Sequence, residues 1–205
     1  MNPNAQPYKY PSRSRLRRHA PRGYKRPGEY RPWLDDEFHF RCVYCLKRKV
    51  WAPTDIWCVE HLIPQSKDLN QACVYENLVL ACQRCNEKKL SVSAPDPAAF
   101  PYGHCLRVHQ VTGEVEPLNE MGEMLILTLK LNHVDQVSER RKNLAILRNL
   151  ARTNMPLWKT MMAFPGELPN LRMKAPPGGN DRPEGVGESC YERRIRGELP
   201  EWYEE

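Results

Sequence analysis

Two matched cysteine pairs, Cys42 with Cys45 and Cys82 with Cys85, stand at C-x-x-C spacing. Each pair can form a knuckle whose turn presents two thiolates to one tetrahedral ion, and four sulfurs close a structural zinc site. A redox role is the weaker reading, since two matched pairs without a thioredoxin-like βαβ context favour a shared metal. The interval Leu46 to Ala81 is longer than a simple zinc ribbon needs, so something is inserted between the knuckles. That insert holds Val59-Glu60-His61-Leu62-Ile63-Pro64 and Tyr75-Glu76-Asn77-Leu78, and Cys85-Asn86-Glu87-Lys88-Lys89 follows at the second knuckle. Histidine suits proton transfer near neutrality, and carboxylate and carboxamide oxygens suit a hard divalent ion. A lone histidine is ordinarily a structural residue, and an asparagine before a strand is ordinarily turn chemistry. The order His, Asn, Asn between two knuckles is what raises them together.

The elements that must position these groups are short. Trp57 to Leu62 reads as a strand stopped by Pro64, Leu78 to Ala81 as a second strand, and Gln83 to Leu90 as a helix opening at the second knuckle. The product is a β-loop-β-α unit with its polar residues at the open edge. Trp33, Leu34, Phe38 and Phe40 approach helical spacing ahead of it. A breaker-rich link from Ser91 to Pro101 follows. Leu106, Val108 and Val111, then Thr112-Gly113 and Val115, predict a short hairpin. Helices are expected near Glu120 to Leu131 and Val134 to Arg152, the second carrying Val134, Val137, Leu144, Leu147 and Leu150 on one stripe.

This combination resembles the HNH, or His-Me finger, endonuclease family in its zinc-containing form. The segment Val115 to Asn132, with Gly122 and the ending Leu129-Lys130-Leu131-Asn132, is similar to the C-terminal half of bacterial HNH proteins from phage-defence operons. The resemblance implies that His61 is the general base, that Asn77 orients its imidazole and fixes the loop, and that Asn86 and Glu60 hold one Mg²⁺ or Mn²⁺ ion at the scissile phosphate. It further implies DNA as substrate, with Arg84 and Lys89 as phosphate contacts. The family usually places Asp before the histidine where this chain has Glu60. Adjacent strand residues also point to opposite faces, so a bulge or the strand's end must bring Glu60 and His61 to one site. His39, His104, His109 and His133, and Cys58, Cys73, Cys105 and Cys190, lack partner motifs and read as structural or surface groups.

The expected fold is therefore α+β: a small treble-clef-like ββα-metal unit over 33–94, a hairpin and mainly helical subdomain over 101–164, and disordered tails over 1–32 and 165–205. With 205 residues, 40% of them hydrophobic, 19 prolines and a mean hydropathy of −0.70, the chain is polar for a compact domain. The formal charge of +6 suits a polyanionic partner. In the first 32 residues, Arg13, Arg15, Arg17 and Arg18 among others face one acid, Glu29, and tyrosines are interleaved, which predicts a mobile arm tracking a phosphate backbone. No apolar run is long enough to span a bilayer, and a cytoplasmic setting is expected, in which eight cysteines favour metal ligation over disulfides. The rival reading is a non-catalytic zinc module that binds nucleic acid or protein. Between the two lies a nuclease subunit activated by an ATPase or sensor partner, in antiphage defence. Oligomeric state is not legible.

Overall fold

The computed structural model describes residues 6–177 and 185–203. Its centre is an antiparallel pair, β1 (Trp57–His61) and β2 (Leu78–Cys82), in unbroken register from Trp57 opposite Cys82 to His61 opposite Leu78. β2 is buried at all five positions, as a strand covered on both faces must be. Helices α1 (Arg31–Glu37) and α2 (Gln83–Lys89) both pack on the pair. Along β2 the first knuckle adds a further bond, Val43 N–H to Leu80 O at 3.0 Å. Phe38 and Phe40 fall just beyond α1, in a turn where His39 and Phe40 adopt positive φ.

A second pair, β3 (Leu106–Val108) and β4 (Val115–Pro117), closes through Thr112-Gly113, with Gly113 at φ +76° where a glycine meets no steric penalty. Then follow α3 (Glu120–Leu129), α4 (Val134–Thr153) and α5 (Met155–Met162). The expected stripe on α4 is only half right. Leu144 and Leu147 are buried, but Val134 is 72% exposed, and the helix buries Gln136 and Arg140 instead. Arg140 can lie inside because its guanidinium donates to Gly113 O at 2.5 Å and Leu131 O at 2.6 Å, so burial leaves its donors partnered. Helix α5 went unforeseen, although Asn154 caps it by accepting from Leu157 N–H and Pro156 stands in its first turn, where proline is favoured. No helix among the described residues is long and apolar enough to cross a membrane.

The expectation of disorder over 1–32 and 165–205 does not extend to the described residues. The proline-rich start is extended, but Tyr8, Tyr10 and Tyr30 are buried in the main core, and Tyr10 Oη donates to Tyr44 O at 2.6 Å. Buried Asp36 accepts from His19 Nε2 at 2.9 Å, Arg18 at 3.0 Å and Cys190 N–H at 2.8 Å, tying both ends of the chain to α1. Burial alone would raise Asp36; the His19 hydrogen bond and the Arg18 charge outweigh it and hold the carboxyl below its usual range. A short helix, α6 (Cys190–Ile195), lies in the stretch expected to be a tail. Cys190 packs there against Phe40 and Phe164. Residues 178, 179, 204 and 205, on which part of the tail reading rests, lie outside the described residues.

Candidate active site and metal centre

Cys42, Cys45, Cys82 and Cys85 are all buried, and their sulfurs lie within 4.8 Å of one another. Cys45 Sγ and Cys82 Sγ are 3.7 Å apart. Tetrahedral coordination at a Zn–S distance of about 2.3 Å requires sulfurs about 3.8 Å apart, so spacing and donor chemistry both fit that ion. The first knuckle is closed by Leu46 N–H to Cys42 O at 3.0 Å and Cys42 N–H to Lys47 O at 2.9 Å, with Leu46 at φ +62°. The second is the start of α2, with Cys82 as its N-cap. Mutual hydrogen bonds among the four sulfurs push the Cys82 thiol far below its ordinary range and the Cys45 and Cys85 thiols well above theirs. Gln136, on α4, donates to Cys85 Sγ at 3.7 Å. This outer support was invisible in the sequence, because it depends on how α4 packs.

His61 is the last residue of β1 and half-buried. No bulge interrupts the strand, and His61 is still paired opposite Leu78, so the regular register sends the Glu60 and His61 side chains to opposite faces. The imidazole Nε2 lies 3.0 Å from Ala72 O and 3.0 Å from the Gln65 carboxamide nitrogen. Ala72 O can only accept and the Gln65 carboxamide nitrogen can only donate, so the two contacts belong to opposite tautomers; in the one that donates to Ala72 the lone pair sits on Nδ1 and Gln65 makes no bond to the ring. Ala72 closes a 3-10 turn, Leu69–Gln71, whose cap Asp68 accepts from Asn70 N–H. Neither Ala72 nor Gln65 carried a signal in the sequence: one contributes only its backbone, and the other is an exposed loop residue.

Asn77 does not touch the imidazole. Its Oδ1 accepts from Ile63 N–H at 2.8 Å, and its Nδ2 donates to Ile63 O at 3.0 Å and Gln71 O at 3.1 Å. It therefore pins both ends of the inter-strand loop, the second of its two expected roles, and reaches His61 only through that loop. Glu60, 8% exposed, faces Lys89, whose side chain is fully buried. The ammonium donates to Glu60 Oε1 at 2.8 Å and to His61 O at 2.7 Å. Lys89 is thus spent inside the protein and is not a phosphate contact. Asn86, also on α2, is partly exposed, and its carboxamide makes no hydrogen bond among the described residues.

The basic residues expected on nucleic acid divide in two. Arg13 is exposed, and Arg84 is 42% exposed in a pair with Glu139 at 3.2 Å. Arg15 donates to Glu37 O at 2.7 Å, Arg18 serves Asp36, and Arg17 is committed to the carbonyls of Tyr75, Glu76 and Leu78 and to Asp96. These three fasten the N-terminal segment to the body, because acidic and carbonyl partners from distant elements converge on them. Lys67, exposed four residues before Gln71 in the same loop, was not singled out; its ammonium donates to Ser93 Oγ at 3.2 Å. A cleft of about 230 Å³ lies beside Cys45 and Cys82, lined by Lys47, Arg84 and Glu139. His61 does not line it.

No curated protein and no solved structure matches the chain. A family model described as HNH endonuclease matches residues 42–91, a span that opens at the first cysteine of the cluster and closes just after α2. Residues 42–91 match the HNH endonuclease family model, and the four clustered cysteines are consistent with its zinc-containing form.

Proposed function

We propose that this protein is a metal-dependent endonuclease that hydrolyses DNA phosphodiester bonds, with His61 as general base. The observation that carries the reading is the imidazole Nε2 at 3.0 Å from Ala72 O: in the tautomer that donates there, Nδ1 is the proton acceptor on a half-buried ring at the end of β1. His61 takes a proton from water as the water oxygen bonds to phosphorus, and the bond to the 3′ oxygen breaks, that oxygen taking up a proton from solvent, which leaves 5′-phosphate and 3′-hydroxyl ends as in the family it resembles. Asn77 keeps the loop in place. The zinc-fitted cysteines hold the two knuckles, and hence β2 and α2, in register. Glu60 and Asn86 are the oxygen donors that would hold a Mg²⁺ or Mn²⁺ ion, which when bound neutralises charge on the phosphate and leaving oxygen. Arg84 and the exposed Arg13 are the phosphate contacts that remain available. The likeness of Val115 to Asn132 to phage-defence proteins supports an antiviral setting with an ATPase or sensor subunit as partner.

The test is nicking of supercoiled plasmid by zinc-loaded protein with Mg²⁺ or Mn²⁺, beside an EDTA control and His61→Ala. Loss of a positioned general base costs about 10²–10⁴ in rate. Nicking that falls by that factor in His61→Ala, at unchanged zinc content, supports the reading. A wild type that binds DNA but never cuts it, with metal present, returns the domain to the binding-only zinc module.

A further inference from the structure

Lys89 is the feature that the proposed chemistry does not absorb. A lysine with a fully buried side chain is held from two sides, by Glu60 Oε1 at 2.8 Å and His61 O at 2.7 Å. Burial of an ammonium is tolerated only when it is paired and hydrogen-bonded, and here both conditions are met. The consequence falls on Glu60, the one carboxylate offered to the divalent ion. Its charge is already matched by Lys89, and its side chain is only 10% exposed. The other donor, Asn86, three residues before Lys89 on α2, is neutral. Without substrate, then, Glu60, Lys89 and Asn86 sum to no net charge, where a hard divalent ion needs anionic oxygen. An ion bound through Glu60 would also sit a few ångströms from the ammonium, and the second anchor at His61 O keeps that ammonium from withdrawing. A scissile phosphate supplies the missing negative charge.

Resting on the nuclease reading above, we propose that Lys89 is a positioning residue that withholds Glu60 from the divalent ion until a nucleic-acid phosphate arrives, so that ion binding is coupled to substrate binding. The measurement is Mn²⁺ affinity of zinc-loaded protein by calorimetry, which does not depend on cleavage. Without DNA, Lys89→Gln is expected to bind Mn²⁺ about ten-fold tighter than wild type or more, a small part of the repulsion between cations a few ångströms apart. Lys89→Arg, which keeps the charge, is expected to bind as weakly as wild type. The double variant Lys89→Gln/Glu60→Gln is expected to lose the gain. A folded Lys89→Gln that binds Mn²⁺ no tighter than Lys89→Arg would overturn the proposal, since a merely structural lysine would leave ion affinity unmoved. A measurement that needs no Lys89 variant uses His61→Ala, which leaves DNA intact. Its Mn²⁺ affinity should rise about ten-fold or more when a short duplex is added, by the same charge argument, and equal affinities with and without duplex would sink the idea. Failure of the nuclease reading would be seen separately, as wild type that never nicks.

Discussion

Replacing Arg17 by Met separates the two roles open to the basic N-terminal segment. The guanidinium donates to Tyr75 O at 3.0 Å and Leu78 O at 2.6 Å, both partly buried, and to Glu76 O at 3.0 Å in a more exposed position. It pairs with Asp96 at 3.1 Å and lies over the Phe38 and Tyr75 rings, its side chain 7% exposed. Hydrogen bonds from a charged donor contribute roughly 1.5–3 kcal/mol each. The two partly buried carbonyls therefore set the scale, while the exposed carbonyl and the Asp96 pair add about 0–1 kcal/mol. Methionine keeps most of the ring contact, and water can reach part of the vacated site. The net expectation is a loss of about 3 kcal/mol. In a chain of this size that is a fall in Tm of about 6–12 °C. Thermal unfolding is one assay, and the salt dependence of DNA affinity is the other. A phosphate contact would lower the salt slope by about 1 when removed. Arg17→Met is expected to leave that slope unchanged. Undiminished stability together with a reduced slope would refute the assignment and restore Arg17 to the nucleic acid.

Three further outcomes follow from the same geometry. Cys82→Ser breaks the four-sulfur set, and because structural zinc contributes on the order of 10 kcal/mol to folding, the variant should lose bound zinc and cooperative unfolding together; a variant with a wild-type melt would show that the cluster is not the staple. Gly122→Ala should lose at least about 3 kcal/mol, since its Cβ would stand 2.0 Å from the backbone oxygen of Cys105, which a side-chain rotation cannot relieve; urea unfolding measures it, and a loss below about 1 kcal/mol would mean that α3 and Cys105 are not in this contact. Burial and then the charges of Arg18, Arg15, Arg41 and Arg193 hold His39 well below the usual imidazole value. The unfolded chain then takes up a proton that the folded one refuses, so this stability is fully present above about pH 6.5 and declines by up to about 1.4 kcal/mol per pH unit as the pH falls below it. His39→Phe should flatten that decline, and unfolding curves at about pH 7.5, 6.0 and 5.0, which bracket the ordinary imidazole value of about 6.5, would expose an unchanged slope.

The chemistry-bearing order of Cys42, Cys45, His61, Asn77, Cys82, Cys85 and Asn86 is legible in the residues alone, as are β1, β2, α2, the hairpin and the bounds of α3 and α4 to within a residue or two. Those features are local. Knuckle spacing, strand alternation and a proline stop act over a few residues, so the amino-acid types suffice to read them. What depends on the tertiary structure is where each polar group sends its bonds. Arg15, Arg17 and Arg18 look like free charge in the sequence because their partners, Glu37, Asp96 and the carbonyls before β2, are remote in it. Lys89 sits at the end of a polar helix and still points inward, because Glu60 and the end of β1 are waiting there. The partner of His61 is a backbone carbonyl, which every residue type carries and none announces. Residue types fixed which chemistry the domain can attempt; packing decided which charges stay exposed and which are consumed in holding the fold together.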